Sequence, residues 1–258
     1  MSALLGRKAD QDTRLRVVTL NIHKGLSQFN RRMVIHELRE GLRALKADLV
    51  FLQEVQGLNE RHALRFAAWP GAQHEFLAGE EWTHAYGRNA VYDHGHHGNA
   101  ILSRFPILSS ENADVSDHRF ERRGLLHSVV TIPGWRRNLH CLCVHLSLHE
   151  RGRRRQLDAI AERLEQLASK DLPIVVAGDF NDWRQRATPI LEGTLGMTEV
   201  SVAARGGHLR TYPSALPLLK LDRIYVRGFE VVRSQVHRGA PWSLLSDHLA
   251  VSAELKRA

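Results

Sequence analysis

The most constraining feature of this 258-residue chain is a recurring pattern in which a short apolar segment stops abruptly at polar residues. The segments VVTLN, LVFLQE, CLCVH and IVVAGDFN end in this way, whereas LDRIYV and SDHLAV begin with polar residues. Apolar runs of this length predict buried strands, and loops at strand ends are where folds place chemistry. The polar positions are Asn21, Glu54, His145, Asp179, Asn181, Asp222, Asp247 and His248.

The order of predicted elements favours a mixed α/β sandwich over a purely parallel, doubly wound sheet. Helical spacing of apolar residues predicts helices over 31–48 and 153–170. We expect a flexible N-terminal arm over 1–14 and a single domain over 15–258, since α/β folds of this size often stay single. Strands are predicted over 15–22, 49–55, 98–107, 173–180, 221–232 and 248–255, with a hairpin-like pair within 125–148.

The chain is basic, with 36 Lys and Arg against 28 Asp and Glu, a net charge of +8. Thirty of the 36 cations are arginine, whose guanidinium matches phosphate oxygens well. The balance suggests an anionic partner such as nucleic acid, a phospholipid surface or a phosphorylated solute. A codon bias that favours arginine over lysine explains the same ratio equally well.

Cysteine usage and hydropathy both predict a cytoplasmic protein. Cys141 and Cys143 would share one face of a strand, too far apart along it for a sound disulfide, so we expect reduced core residues. The N-terminal segment MSALLGRKADQDTRLR lacks the apolar region of a signal peptide. No segment approaches the roughly 18 apolar residues of a membrane span, so we expect no stable membrane insertion. We also expect the protein to be a monomer.

The residue types at the strand ends indicate one kind of chemistry. Carboxylate and amide oxygens are hard ligands suited to Mg²⁺ or Mn²⁺. Histidines beside them can orient a phosphate or move a proton. Since the chain has no recognisable Ser or Cys nucleophile motif and no P-loop, the set points to metal-assisted attack by water.

Taken in order, the motifs TLNIHKG, FLQEV, GNAILSRFPI, CVHLSL, VVAGDFND, LDRIYV and SDHLAV resemble those of the endonuclease/exonuclease/phosphatase superfamily, the deoxyribonuclease I-like fold. They extend from about Thr19 to Leu255 and so cover nearly the whole chain. The resemblance implies a four-layered α/β sandwich with two central sheets flanked by helices and an active site at one rim.

The resemblance also implies a role for each polar position. Glu54 would be the main ligand of a divalent metal, Mg²⁺ or Mn²⁺, with Asn21 and Asp247 close by. Asp179 and Asn181 would hold and polarise the attacking water. His248, paired with Asp222, would contact the phosphate or act as the base, and His145 would donate to a phosphate oxygen or protonate the leaving group.

Further residues are candidate phosphate or substrate contacts. Asn99 belongs to the family-like GNAILS, and Arg151 and Arg154 follow His145 in HERGRRRQL. A solvated basic turn explains the arginines equally well. The segment YDHGHHGN over 92–99 contains three histidines that could bind a soft metal, but without a clear fourth ligand it favours a mobile, solvated loop at the site entrance.

The leading hypothesis is therefore a metal-dependent phosphodiesterase, with nucleic acid preferred as the substrate because no hydrophobic membrane-docking segment is evident. The alternatives are a phospholipid or sphingomyelin-type headgroup phosphodiesterase and an inositol-phosphate phosphatase. A tyrosine-containing motif typical of the superfamily's abasic-site endonucleases is replaced by VHLSL, which disfavours that repair role. A non-catalytic binding module would require the loss of one of the polar positions, and none is missing.

Overall fold

The computed structural model describes residues 14–167 and 172–258, which form two six-stranded sheets packed face to face. The first sheet has the strand order β11-β12-β1-β2-β4-β3. Within it β1 and β2 are parallel, and all other neighbours are antiparallel. Its strands are β1 (Arg14–Asn21), β2 (Leu49–Asn59), β3 (Thr83–Tyr92), β4 (Gly95–Ser103), β11 (Phe229–Val236) and β12 (Val251–Arg257).

The second sheet has the order β5-β6-β7-β8-β10-β9 and is built in the same way. One central pair, β7 and β8, is parallel, and the remaining neighbours are antiparallel. Its strands are β5 (Ile107–Asp114), β6 (Gly124–Val130), β7 (Leu139–His145), β8 (Ile174–Asp179), β9 (Thr198–Glu199) and β10 (Asp222–Arg227).

Helices cover the outer faces of both sheets. Apolar side chains at helical spacing, such as Leu38 and Leu42 in α1 or Leu157 and Ile160 in α4, are buried against the sheet beneath. The α-helices are α1 (Ile35–Ala44), α2 (Glu60–Arg65), α3 (Gln73–Ala78), α4 (Glu150–Gln166), α5 (Val200–Arg205) and α6 (Trp242–Leu245). Short 3₁₀ turns occupy His23–Gly25 and Gln28–Asn30, and a π-helical turn occupies Pro189–Thr194.

Three apolar clusters correspond to the spaces between four layers. One lies between the sheets and contains Phe51, Ile101 and the two cysteines, Cys141 and Cys143, which are free and buried as expected. A second lies between the first sheet and α1, α3 and α6, and a third between the second sheet and α4. The predicted four-layered α/β sandwich is confirmed.

The central strands present their ends at one rim of this sandwich. Strand β1 ends at Asn21, β7 at His145 and β8 at Asp179. Because β10 runs antiparallel to β8, its first residue, Asp222, lies beside Asp179. The polar stops of the sequence therefore meet at one edge, as strand ends of one direction do.

Several predicted bounds differ from those observed. The helix predicted over 31–48 is limited to α1, since residues before it bridge back to Leu26 and Lys46 takes a left-handed φ of +51°. The strand predicted over 98–107 ends at Ser103, and Ile107 begins β5 in the other sheet. The predicted end of the second helix, up to residue 170, includes residues outside those described, and α4 begins at Glu150.

The single strand predicted over 221–232 is wrong. Gly228 has a φ of +78° and divides the segment into β10 and β11, which belong to different sheets. Glycine tolerates this backbone conformation without the steric cost that a Cβ would add.

The domain division stays a prediction, and residues 1–13 of the proposed arm lie outside those described. Arg14 already belongs to β1. No helix within 14–167 and 172–258 is long and apolar enough to cross a membrane.

Candidate active site

The register of the second sheet assembles the first part of the site. Asp179 at the end of β8 is paired with His145 on the parallel strand β7 and with Asp222 on the antiparallel strand β10. All three side chains are almost fully buried. Three adjacent strands thus present a carboxylate, Asp179, between the His145 imidazole and the Asp222 carboxylate, without any contribution from a long loop.

Asn21 joins this group to the first sheet. Its Nδ2 donates to Asp179 Oδ2 at 3.2 Å and to Glu54 Oε1 at 3.3 Å, so one amide holds a carboxylate from each sheet. The amide oxygen accepts from the backbone N–H of His23 at 3.1 Å. In this arrangement Asn21 positions two carboxylates, and its oxygen is turned away from Glu54.

Glu54 is placed by a bulge in β2. Val50 and Leu52 pack on the outer apolar cluster, and Val55 takes the next place on that face because the register with β4 shifts between Leu52 and Val55. Glu54 has a φ of +56°, which is uncommon for a residue other than glycine. The bulge therefore removes Glu54 from the regular alternation of the strand.

The electrostatic surroundings favour the ionised form of Glu54. Burial opposes ionisation, but nearby positive charge, above all that of Lys24, and the hydrogen bond from Asn21 outweigh it and hold the pKa of Glu54 well below its usual range. Lys24 Nζ is 3.4 Å from Glu54 Oε2. That oxygen is buried and has no hydrogen-bond partner among the described residues.

Asp179 is surrounded by donors. Its Oδ1 accepts from the backbone N–H of Asn181 at 2.9 Å, and its Oδ2 lies 3.5 Å from His145 Nε2 and 3.8 Å from His248 Nε2. Burial raises the pKa of Asp179 to about 6, although the charge of His248 acts against this rise. Near neutral pH this carboxylate is therefore close to the point at which it can accept a proton.

His248 and Asp222 form a buried ion pair. His248 Nδ1 is 2.8 Å from Asp222 Oδ2, and the imidazole ring packs against Tyr212 at 4.9 Å between centroids. Burial opposes the charged imidazole, but Asp222 and Asp179 outweigh it and raise the pKa of His248 to about 10. His248 is an imidazolium at neutral pH.

His145 has the opposite tendency. Burial, reinforced by the charge of Arg123, lowers the pKa of His145 well below the usual histidine value. Its imidazole is therefore neutral at physiological pH. One ring nitrogen can donate an N–H, and the other can accept a hydrogen bond through its lone pair. Two histidines that touch the same carboxylate thus differ in charge.

Asn181 lies on a tight turn after β8. Its φ is +47°, and its Nδ2 donates to the backbone carbonyl of Leu146 at 2.9 Å. Asn181 has therefore left the extended conformation of β8, and its side chain does not lie beside that of Asp179. The contact with Asp179 is instead the backbone N–H of Asn181.

Asp182, three residues after Asp179, has a structural role in the same turn. Its Oδ2 accepts from the backbone N–H of Ala187 at 2.8 Å and from Arg223 Nη1 at 3.1 Å. Both partners of this ion pair are buried, and Arg223 also donates to the Asp182 carbonyl and to Tyr225 Oη. The pair fixes the turn that follows Asp179.

Asp247 and Ser246 complete the group from the far end of the chain. Asp247 Oδ1 is 3.3 Å from His23 Nδ1. Ser246 Oγ donates to the Asn21 carbonyl at 2.6 Å and accepts from the His248 N–H at 3.2 Å. Residues just before β12 are thereby fastened to the end of β1.

The donor set fits a hard divalent cation. Oε2 of Glu54 and Oδ1 of Asp222 are buried carboxylate oxygens without a hydrogen-bond partner among the described residues. Ligand atoms of Asp179, Asp222 and His248 also lie within 4.8 Å of one another, but the imidazolium of His248 has no free lone pair for a cation, so the open oxygen of Glu54 is the better metal ligand. Buried oxygens of this kind are costly unless a cation or a donor satisfies them.

A cavity of about 410 Å³ opens beside Glu54 and His145. Its walls are basic and rich in histidine, and Phe120 on its rim is 82% exposed. The lining residues are Lys24, Glu54, Ala90, His97, His118, Phe120, Glu121, Arg122, Arg123, His145, Leu148 and His149.

The mobile loop expected over 92–99 is wrong. Tyr92 pairs with Gly95, and β4 runs on from there, so the segment is a tight hairpin between β3 and β4. His97 on β4 lines the cavity, and burial lowers its pKa to about 4. Polar residues in this hairpin hid β3 and the first three residues of β4 from a search for apolar runs.

Three predicted substrate contacts lie apart from these residues. Asn99 is buried and donates to the backbone carbonyls of Gly124 and Cys143, so it links the two sheets. Arg151 and Arg154 are exposed on α4 and do not line the cavity. The arginines that line it are Arg122 and Arg123, which the sequence did not single out.

Sequence reasoning also missed His23, Lys24 and Ser246. His23 and Lys24 are two and three residues after Asn21 in TLNIHKG, and both have positive φ values, +44° and +59°. Their chain position next to a strand-end asparagine was a usable signal. Ser246 precedes Asp247 within the motif SDHLAV.

Comparison with known proteins places the chain in a family. The sequence profile of the Endonuclease/Exonuclease/phosphatase family matches residues 18–248. The chain belongs to this family. Its members are phosphoester hydrolases, so the predicted superfamily and the predicted hydrolysis of phosphoester bonds are confirmed.

Individual proteins resemble this endonuclease/exonuclease/phosphatase protein to different degrees. The uncharacterized protein YbhP of Escherichia coli strain K12 is 46% identical over 247 residues, 95% of this chain and 97% of YbhP. The structure of D. rerio TDP2 complexed with single strand DNA product has a TM-score of 0.69 at 20% identity and covers 95% of this chain and 99% of that one. The mannosyl-6-phosphatase Bt3783 of Bacteroides thetaiotaomicron has a TM-score of 0.72 at 17% identity, over 93% and 99%.

Proposed function

We propose that this family member is a Mg²⁺- or Mn²⁺-dependent phosphodiesterase that hydrolyses nucleic acid by attack of water on the phosphorus atom. The observation that carries the proposal is the position of Asp179, whose Oδ2 lies within 4 Å of Asn21 Nδ2, His145 Nε2 and His248 Nε2. No protein nucleophile is involved, so the charge states of these groups must support attack by water.

Asp179 is the group we assign to the attacking water. With a pKa of about 6 it is largely ionised at neutral pH and basic enough to accept a proton as the water attacks. The N–H of Asn181 and the amide of Asn21 hold the carboxylate in one orientation. Asn181 thus acts through Asp179 by fixing its geometry.

His248 is assigned to a phosphate oxygen. As an imidazolium paired with Asp222, it cannot act as a base at neutral pH, and it can donate Nε2–H to the negative charge that develops in the transition state. His145, which is neutral, can donate an N–H to a second oxygen but is a weak proton donor to a leaving group.

Glu54 and Asp247 are the residues we assign to the divalent ion, with Asn21 holding Glu54 in place. When bound, the ion would supply Lewis acidity and neutralise charge on a phosphoryl oxygen. Lys24, 3.4 Å from Glu54, supplies part of the same positive charge. The cytoplasmic location and the monomeric state remain predictions.

Nucleic acid is preferred because the net charge is +8 and the cavity combines basic side chains with the exposed ring of Phe120. The fold neighbour TDP2, with its single strand DNA product, supports this choice by analogy alone. The exposed Phe120 and Leu148 also suit a phospholipid headgroup substrate at a lipid surface. A phosphomonoester such as an inositol phosphate is a further alternative substrate, by analogy with the mannosyl-6-phosphatase neighbour.

The test is a substrate panel with plasmid DNA, single-stranded DNA, RNA, phosphodiester lipids and inositol phosphates, each with Mg²⁺, Mn²⁺ or EDTA. We expect metal-dependent cleavage of nucleic acid that Asp179→Asn and His248→Ala abolish while circular dichroism stays unchanged. Asp158→Asn and His36→Ala, at exposed positions, serve as matched controls and should retain full activity.

Glu54→Gln should raise the Mg²⁺ concentration needed for half-maximal activity, because one ligand charge is lost. Wild-type turnover by Asp179→Asn and His248→Ala would contradict the mechanism. Cleavage of lipid alone would contradict the choice of nucleic acid while leaving the mechanism in place.

A further inference from the structure

A second group of metal-ligating side chains lies between α3 and the edge strand β3. His74 is on α3, and His84 is on β3, with only a short connection between the two elements. Ligand atoms of His74, Glu75 and His84 lie within 4.8 Å of one another. None of these residues belongs to the active site described above.

His74 is held rigidly and lacks the polar partners that a buried imidazole needs. Its ring stacks flat on Tyr86, with 4.2 Å between centroids and 2° between planes. Nδ1 is buried and has no hydrogen-bond partner within the described residues, while Nε2 lies 3.9 Å from Glu75 Oε1. Burial lowers the pKa of His74 to about 4, so the ring is in the neutral form that binds metals.

Glu75 and His84 supply the remaining donors from the solvent side. Both residues are exposed, and the His84 ring lies 5.1 Å from the His74 ring. In a tetrahedral Zn²⁺ site with bonds of about 2.1 Å, ligand atoms are about 3.4 Å apart. Small rotations of the exposed Glu75 and His84 side chains can bring the ligand atoms from the observed separations to those of such a site, while His74 remains fixed.

We propose that His74, Glu75 and His84 form a binding site for a borderline transition-metal ion such as Zn²⁺, separate from the active site. Two imidazoles and one carboxylate suit Zn²⁺ far better than Mg²⁺, which prefers oxygen ligands. The fourth position is open to water. The bound ion ties α3 to β3, an edge strand whose neighbour in the sheet is β4.

The tie has a structural consequence because of the residue before His74. Gln73 Oε1 accepts from the backbone N–H of Gln56, and Gln73 Nε2 donates to the Lys24 carbonyl at 2.7 Å. An ion that fixes the first turn of α3 therefore also braces the turn that contains Lys24. The site is predicted to stabilise the fold and not to supply catalytic chemistry.

The proposal is tested by equilibrium dialysis of metal-free protein against Zn²⁺ in the presence of excess Mg²⁺. We expect His84→Ala and Glu75→Gln to bind Zn²⁺ more weakly than wild type, with His84→Ala losing one ion per chain. His36→Ala is the matched control. His36 lies on α1 and packs against Phe76 of α3, the helix that carries His74, but its Nε2 is hydrogen-bonded to the Ala68 carbonyl. This variant should bind as many ions as wild type.

A thermal melt gives an independent measurement. Zn²⁺ at about 100 times its dissociation constant should raise the Tm of wild type and His36→Ala by roughly 5–10 °C and leave that of His84→Ala unchanged. Equal ion counts in wild type and His84→Ala, or equal Tm shifts, would overturn the proposal. Neither readout depends on hydrolysis, so failure of the proposed phosphodiesterase activity would be seen separately.

Discussion

At the scale of single residues, the site is organised by charge states that environment sets in opposite directions. His145 and His248 both approach Asp179 Oδ2, yet burial keeps the first neutral and two carboxylates keep the second charged. Asp179 lies between them with a pKa of about 6. Separated pKa values of this kind mark which group accepts a proton and which one stays protonated.

These pKa values predict a bell-shaped pH profile for kcat/KM. Activity should rise with pH as Asp179 ionises, with an acid limb at or below about pH 6, because a bound cation can only lower that pKa. It should fall when His248 loses its proton, with an alkaline limb at or below about pH 10, because a bound cation also lowers the pKa of an imidazolium. The measurement is kcat/KM against pH with a soluble phosphodiester.

Asp222→Asn should move both limbs of that profile to lower pH. The Asp222 carboxylate raises the pKa of both His248 and Asp179, so its neutralisation removes both effects. The larger change is expected on the alkaline side, where the ion pair at 2.8 Å is lost. An unchanged alkaline limb would show that His248 is not the group that titrates there.

At the scale of elements, β7 and β8 are packed so closely that only glycine fits before Asp179. Gly178 has a φ of +151°, and a Cβ at this position would lie 1.9 Å from the Val144 carbonyl oxygen. Asp179 follows directly, so any shift of the strand moves the central carboxylate. The glycine of the motif VVAGDFND is therefore explained by packing.

Gly178→Ala should destabilise the protein by about 2–4 kcal/mol, from overpacking together with backbone strain. It should also reduce kcat more than KM, because Asp179 is displaced. Gly207→Ala is the control, since a Cβ there meets nothing within 4 Å. Urea unfolding and steady-state kinetics measure the two effects. An unchanged free energy of unfolding for Gly178→Ala would contradict the close packing of these strands.

The buried pair of Arg223 and Asp182 predicts a second effect on stability. Arg223→Met leaves the Asp182 carboxylate buried with one partner fewer, which should cost about 3–5 kcal/mol. Arg32→Met, which breaks an exposed pair with Glu37, should change the free energy of unfolding by less than ~1 kcal/mol. Similar losses for both variants in urea unfolding would refute the difference.

Much of this organisation could be predicted from the chain, because buried strands that stop at polar residues are a local pattern. Asn21, Glu54, His145, Asp179, Asp222 and His248 do meet at one rim. The bulge at Glu54 and the left-handed turns at Lys24 and Asn181 could not be predicted, since the surrounding fold imposes them. Exposed strands such as β3 and β5 were missed because their polar residues mask the alternation.

At the scale of the whole molecule, positive charge should govern substrate binding more than it governs chemistry. The net charge is +8, and Lys24, Arg122 and Arg123 line the cavity. Counterion release makes nucleic-acid affinity fall steeply as salt rises. A small phosphodiester with two uncharged substituents bears one negative charge and lacks this dependence.

KM for single-stranded DNA should therefore rise about tenfold or more between about 50 and 200 mM salt if three or more phosphates are contacted. KM for the small phosphodiester should change little over that range. Steady-state kinetics at a series of salt concentrations measure both. A flat response with DNA would indicate that the basic cavity does not follow a phosphate backbone.

The amide of Asn21 bonds to one carboxylate from each sheet, Glu54 on β2 and Asp179 on β8. A slip of the two sheets past each other by a fraction of an ångström would break this link while leaving every strand intact. The rate of turnover therefore depends on the alignment of the two sheets. On heating, the enzyme should lose its activity at a lower temperature than the one at which its far-ultraviolet circular dichroism begins to change.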